Sequence, residues 1–249
     1  MDLGLAGRVY VLTGASRGLG YATAAALAAD GAQVVLSSRD AVSVHAAAAR
    51  LGGVGVAVDN TDPDAPTKVI DAAIDAYGRV DGGLISVGGP PAGTAASVTD
   101  EQWLTSFQTV FLGGVRFARA LANRLEPGGA IGFVLSSSVR APLTGLGISN
   151  GLRPGLAGVA KDMADQFGPH GVRVLSLLPG SIYTDRTKEL HHASGDPDGA
   201  KARAEATIPL RRIGDPEEFG RVAAFMLSPA ASYVTGVTVT VDGGSARML

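Results

Sequence analysis

Thr13-Gly14-Ala15-Ser16-Arg17-Gly18-Leu19-Gly20 decides the reading of this 249-residue chain. It follows an apolar, β-rich run, Arg8–Thr13, and opens an alanine-rich helical stretch, Leu19–Ala29. Strand, glycine turn and helix in that order leave unpaired backbone N–H groups at a helix N-terminus, where the peptide dipoles add partial positive charge. Gly14, Gly18 and Gly20 let backbone approach an anion closely, with Ser16, Arg17 and Leu19 completing the turn. In this context the segment is a cradle for pyrophosphate, as expected in the first unit of a doubly wound α/β sheet.

The rest of the chain keeps the same rhythm. Further β-rich runs at Gln33–Ser37, Val54–Val58, Gly83–Val87, Ile131–Ser136, Val172–Leu178 and Val237–Val241 alternate with helical patterns such as Pro66–Tyr77 and Glu101–Leu125. Apolar strands of this kind belong to a parallel sheet covered on both faces. Gly31 and Gly78 sit where helices need a left-handed cap, and Thr99 with Gln102 has capping-box spacing. Asp215, Pro216 and Glu217 open the helix that reaches Leu227. The expected fold is one domain over 1–249, a Rossmann-type doubly wound sheet of seven mainly parallel strands with helices on both faces. Gly180–Thr207 is long and polar and follows a strand end, which marks it as a lid at about 180–207.

Composition removes several function classes. With 46% hydrophobic residues and 18% charged, the chain builds a sizeable core. A net charge of -2 with scattered basic residues disfavours nucleic acid and membrane surfaces as partners. No cysteine is present, so thiolate nucleophiles, thiolate metal sites and disulfides are excluded, and no metal site is expected. Met1–Val11 lacks a basic region followed by an apolar stretch, so the expected location is the cytoplasm.

The second strand ends in Ser37-Ser38-Arg39. An acidic residue there accepts from adenosine ribose hydroxyls; this chain has Ser38, followed by Arg39, with Arg17 as a second cation. Two guanidinium groups without a competing carboxylate suit a 2′-phosphate, so NADP is expected over NAD. Asp40 either weakens that field or opens the next helix.

These segments together resemble the short-chain dehydrogenase/reductase family over essentially the whole chain. Thr13–Gly20 is similar to its Thr-Gly-x-x-x-Gly-x-Gly turn. Ile208–Glu218, Ala231–Gly236 and Val241–Gly244 resemble its tail hallmarks. The resemblance implies that Asp59, with Asn60, contacts the adenine end. It further implies that Gly88 binds the cofactor and that the Pro179-Gly180 stretch with Thr184 lies beside the nicotinamide.

The resemblance fails at the catalytic motifs. Ile85-Ser86-Val87-Gly88 stands where relatives carry Asn-Asn-Ala-Gly, and Val110 stands at the relay asparagine. Ser138 matches the family's serine, but the Tyr-x-x-x-Lys positions fall on Ser149 and Arg153. The Ser138–Ser149 spacing is two residues short, and Pro154 implies a different local start for the helix. Reduction of a carbonyl needs an oxyanion stabiliser and a proton, and a serine hydroxyl is too weak an acid to supply the latter. Arg153 keeps its charge and takes no part in proton relay. Tyr183, His191, His192 and Arg140 are the available substitutes; His45 and His170 have no assigned role.

Three readings follow. The first is an NADP(H)-dependent oxidoreductase on a carbonyl or alcohol, with non-standard proton delivery. The second is a catalytically silent dinucleotide sensor or partner subunit, and the third is elimination or isomerisation chemistry. Pro90-Pro91 and Val139–Ile148 point to a small, mostly apolar substrate. The apolar helices Glu101–Leu125 and Phe219–Leu227 point to a homo-oligomer, a tetramer or dimer.

Overall fold

Alternating side chains along each strand divide the core. In β1 (Val9–Thr13), Val9 and Val11 face one helical layer while Tyr10 and Leu12 face the other. A computed structural model describes residues 2–193 and 195–247. Met1, Met248 and Leu249 of the expected domain, and Ser194 of the expected lid, lie outside the described residues.

The strands are β1, β2 (Gln33–Ser38), β3 (Val54–Ala57), β4 (Gly82–Ile85), β5 (Ala130–Val134), β6 (Arg173–Pro179) and β7 (Thr238–Val241). They form one sheet in the order β3-β2-β1-β4-β5-β6-β7, and every pairing is parallel. One face is covered by α1 (Gly18–Ala29), α2 (Ala41–Arg50) and α9 (Pro216–Leu227), through Leu27, Val44 and Phe219. The other is covered by α3 (Ala65–Tyr77), α5 (Gly113–Ala122) and α6 (Gly147–Phe167), through Ile70, Phe117 and Leu156. The winding reverses between β1 and β4, which opens a crevice at the carboxyl ends of those strands.

Two buried ions fasten the frame. Asp81, ahead of β4, accepts from the Val9 amide at 2.9 Å and pairs with Arg8 and Arg79. Arg173 donates to the carbonyls of Met226, Leu227, Ser228 and Val234, closing the carboxyl end of α9. Tyr10 lies beside it, donating to the Leu227 carbonyl, and burial pushes its phenol up to about 12.

Three expectations are corrected. Glu101–Leu125 is not one regular helix: α4 (Asp100–Ser106) passes into a π-helical turn, Phe107–Leu112, before α5. A Cβ on Gly113 would lie 2.6 Å from the Asn60 carbonyl, so the widened turn accommodates a close approach by the β3–α3 loop. The 180–207 segment is not a plain loop but carries α7 (Asp185–Ala193) and α8 (Pro197–Thr207). Asp196 caps α8 by accepting from the Gly199 amide at 3.0 Å. Finally, α6 starts at Gly147 and carries Pro154 inside it, so the proline does not mark its beginning. Among the described residues, no helix is long and apolar enough to cross a membrane.

Candidate functional site

The glycine turn is built as a close approach between strands and a ligand-facing loop. Thr13 Oγ donates to the Ser86 carbonyl at 2.8 Å and accepts from the Ser86 amide at 3.0 Å, tying the exits of β1 and β4. Gly14 takes φ 57°, and a Cβ there would lie 2.4 Å from the Ser86 carbonyl oxygen. Gly20 packs against the Gly14 carbonyl, and Gly18 has φ 60°. No side chain caps the first amides of α1, whose N-cap is Arg17, and Ser16 and Leu19 are half-buried around them. Beside the turn, Gly88 is exposed and a Cβ there would meet open space. The glycines and uncapped amides therefore fit a pyrophosphate group.

At the far end of the crevice, Asp40 opens α2 by accepting from the Ser43 amide at 2.8 Å. Its hydrogen bonds with Ser43 hold its carboxyl below the usual range. Arg39 is exposed, and Ser37 Oγ is buried without a hydrogen-bond partner among the described residues. Asp59 Oδ1 accepts from the amide and hydroxyl of Thr61, so part of its capacity shapes its own turn. Arg17 corrects the expectation of two cations free of competition. Its guanidinium stands 3.5 Å from the Asp185 carboxylate, across the crevice on α7. Loops distant in sequence meet there, which the turn motif alone does not reveal.

Ser138 and Ser149 come together at the floor. Both are buried, their hydroxyl oxygens are 3.2 Å apart, and either donates to the other. Ser138 is presented by a short turn after β5, and Ser149 by the first turn of α6. Arg153 follows Ser149 by four residues on the same helix face. It donates to the Val134 carbonyl at 2.7 Å and the Val87 carbonyl at 3.4 Å, bridging the exits of β5 and β4. Burial lowers its guanidinium to about 10, which leaves it protonated at neutral pH. No carboxylate pairs with it among the described residues. Val110, buried in the π-helical turn, offers no polar group.

The remaining residues are spread more widely. A Cβ on Gly180 would lie 2.5 Å from Asp242 Cβ, and the Gly180 amide donates to Val241, so Pro179-Gly180 is locked to the tail. The Thr184 methyl faces Gly18, while its hydroxyl lies 3.3 Å from Thr187 Oγ. Tyr183 is 44% exposed, with the ammonium groups of Lys188 and Lys201 at 4.8 and 5.6 Å from its ring centroid. Its ring thus joins α7 to α8. Arg140 donates to Thr238 Oγ on β7, and His191 and His192 occupy the last turn of α7.

Sequence reading missed Arg186 and Asn150. Arg186 donates to the Pro90 carbonyl at 2.8 Å, drawing α7 over the loop after β4. The Asn150 amide donates to the Leu143 carbonyl and accepts from the Leu143 amide. Neither residue belongs to a readable motif. The adjacency of Asn150 to Ser149 is its only signal.

The sheet order and glycine turn are those of the short-chain dehydrogenase/reductase family, and the chain belongs to that family. The sequence profile described as Enoyl-(Acyl carrier protein) reductase matches residues 14–246. The chain is similar to L-rhamnose 1-dehydrogenase (NAD(P)(+)) of Azotobacter vinelandii, with 33% identity over 95% of this chain and 96% of the relative. It is also similar to human Dehydrogenase/reductase SDR family member 4, with 32% identity over 98% of this chain and 90% of the relative. Among solved structures, L-sorbose reductase from Gluconobacter frateurii, complexed with NADPH and L-sorbose, superposes with TM-score 0.92. Its identity is 31%, over 100% of both chains.

Proposed function

We propose that this chain is an NADP(H)-dependent oxidoreductase acting on the carbonyl or alcohol of a small, mostly apolar substrate, with proton delivery that does not use tyrosine. The observation that carries this reading is the buried Ser138–Ser149 hydroxyl pair beside a glycine turn that fits a pyrophosphate. NADPH in the sorbose reductase complex and the NAD(P)(+) of the rhamnose dehydrogenase support the cofactor class.

Gly14, Ser16, Gly18, Leu19 and Gly20 would hold the pyrophosphate, Arg39 and Arg17 the 2′-phosphate, and Asp59 and Asn60 the adenine end. Gly88, Pro179, Gly180 and Thr184 would border the nicotinamide, which when bound supplies or accepts the hydride. Ser149 donating to Ser138 frees the Ser138 proton to point at a substrate oxygen; the two hydroxyls act as one oriented donor. Arg153, one helical turn on, adds a fixed positive charge that favours negative charge on that oxygen. The proton is drawn from bulk solvent through water, with the hydroxide left behind neutralised in bulk solvent, and neither serine gives up its own proton near neutral pH. Tyr183 is assigned to lid packing rather than proton transfer.

The rhamnose and sorbose enzymes have polyhydroxylated sugars in their names. Here the flanking segments Pro90–Pro91 and Val139–Ile148 carry one charge, Arg140, which is engaged by Thr238, and this favours a less polar substrate. The loss of tyrosine and lysine also supports a second reading, a dinucleotide-binding protein without turnover. Exposed Leu104 and Phe107 on the α4 side, with Phe225 and Tyr233 near the end of α9, support a homo-oligomer. Calorimetry with NADPH and NADH, followed by a ketone and alcohol screen read by nicotinamide absorbance, separates the readings. Binding with turnover supports the oxidoreductase, and binding without turnover supports the silent protein.

A further inference from the structure

Val139–Ile148 leaves the floor at Ser138 and returns to it at Ser149, so both ends of this segment are anchored at the hydroxyl pair. It carries only a short turn of regular structure, yet it is tightly tied. The Asn150 carboxamide reproduces a peptide group: it accepts from the Leu143 amide at 2.9 Å and donates to the Leu143 carbonyl at 2.8 Å. The Leu146 amide donates back to the Leu143 carbonyl at 3.2 Å, and the Asn150 amide donates to Leu146 at 2.9 Å. The Leu143–Leu146 turn therefore hangs from the first turn of α6.

The same turn is zipped to the loop after β4. Gly93 donates to the Gly145 carbonyl at 2.7 Å and accepts from the Gly147 amide at 2.8 Å. A Cβ on Gly147 would lie 2.4 Å from the Ala95 amide nitrogen, so the two loops are packed at backbone contact. They hold position together.

Successive side chains on an α-helix diverge by about 100°. Ser149 faces Ser138, and Asn150, the next residue, faces the wall. One turn of helix thus carries both the hydroxyl that meets Ser138 and the carboxamide that holds Leu143.

We propose that Asn150 is a positioning residue that sets the size of the carbonyl compound admitted above Ser138 and Ser149, by pinning the 140–147 segment through Leu143. The proposal rests on the oxidoreductase reading above. Asn150→Ala removes both bonds. Asn150→Asp keeps an acceptor for the Leu143 amide but sets a carboxylate against the Leu143 carbonyl, so it gives a weaker form of the same loss.

Two measurements test it. Amide exchange at Leu143, in the chain without cofactor, reads the pinning alone. Asn150→Ala should speed it about tenfold or more, the effect of losing two hydrogen bonds of ordinary strength. Steady-state kinetics on ketones of increasing bulk reads the size filter. Asn150→Ala should narrow the kcat/KM gap between small and bulky ketones, through KM more than kcat, and Asn150→Asp should fall between. Unchanged Leu143 exchange in Asn150→Ala overturns the pinning. An unchanged size preference with faster exchange overturns the link to specificity. Absence of turnover in every variant overturns the oxidoreductase reading and the size filter with it, while the exchange data still report the pinning separately.

Discussion

The Ser138 and Ser149 hydroxyls lie 3.2 Å apart, and both residues are buried. The Ser138 amide donates to Ser136 Oγ at 3.1 Å, and its hydroxyl meets the Ser149 hydroxyl at 3.2 Å and the Ser149 carbonyl at 3.5 Å. Arg153 is fixed to strand-end carbonyls rather than left mobile on a long side chain. On the proposed reading, this floor orients and stabilises a substrate oxygen, and the proton is drawn from solvent.

The proposed preference for NADPH rests on Arg39 and Arg17. Arg39→Ala should weaken NADPH binding by about 1–3 kcal/mol, the range for a charge-assisted contact, and leave NADH nearly unaffected. Asp185→Asn removes the carboxylate 3.5 Å from Arg17 and should tighten NADPH without helping NADH. Titration calorimetry with both cofactors checks each variant. Equal losses on NADPH and NADH for Arg39→Ala would place that residue away from the 2′-phosphate.

Arg173 is a structural cation with no part in the chemistry. Arg173→Met leaves the carbonyls at the end of α9 without their donor and should cost about 3 kcal/mol or more. For a chain of this size that loss lowers Tm by roughly 6–12 °C. Differential scanning calorimetry measures it, and a shift within experimental error would show that water replaces the guanidinium freely.

Why the glycine turn was readable and the floor only half so is a matter of range. Thr13–Gly20 encodes its own conformation, since Gly14 and Gly18 need positive φ and the strand and helix adjoin them. All seven strands appear where apolar runs foretold them, with ends shifted by a residue or two. The family resemblance also named Ser138 and Ser149, whose hydroxyls meet. By contrast, the π-helical turn at Phe107–Leu112 answers to Asn60, and Arg17 answers to Asp185. Arg140, a candidate for polarising substrate, is drawn to Thr238 on β7. Helices α7 and α8 were hidden because polar, alanine-containing segments show little apolar face.

Glu218 gives a titration with a defined sense. The Arg212 guanidinium, and then the Asp215 amide, hold its carboxyl at about 2, below the ordinary 4.5. Its contribution to stability is therefore complete above pH 4.5 and is lost as pH falls through 2. Side-chain carbon-13 titration should place the midpoint near 2, and Arg212→Met should move it toward 4.5. A wild-type midpoint at 4.5 would show that the bidentate pair, at 2.6 Å for both contacts, does not persist in solution.

The most direct test of the hydroxyl-pair account is kcat/KM for wild type, Ser138→Ala and Ser149→Ala on one ketone with NADPH. Ser138→Ala should lose about a hundredfold or more, the scale of removing a donor aimed at a developing oxyanion. Ser149→Ala should lose much less, because it orients Ser138 and is not the acid. A Ser149→Ala chain without activity beside a fully active Ser138→Ala chain would contradict the roles given to both residues.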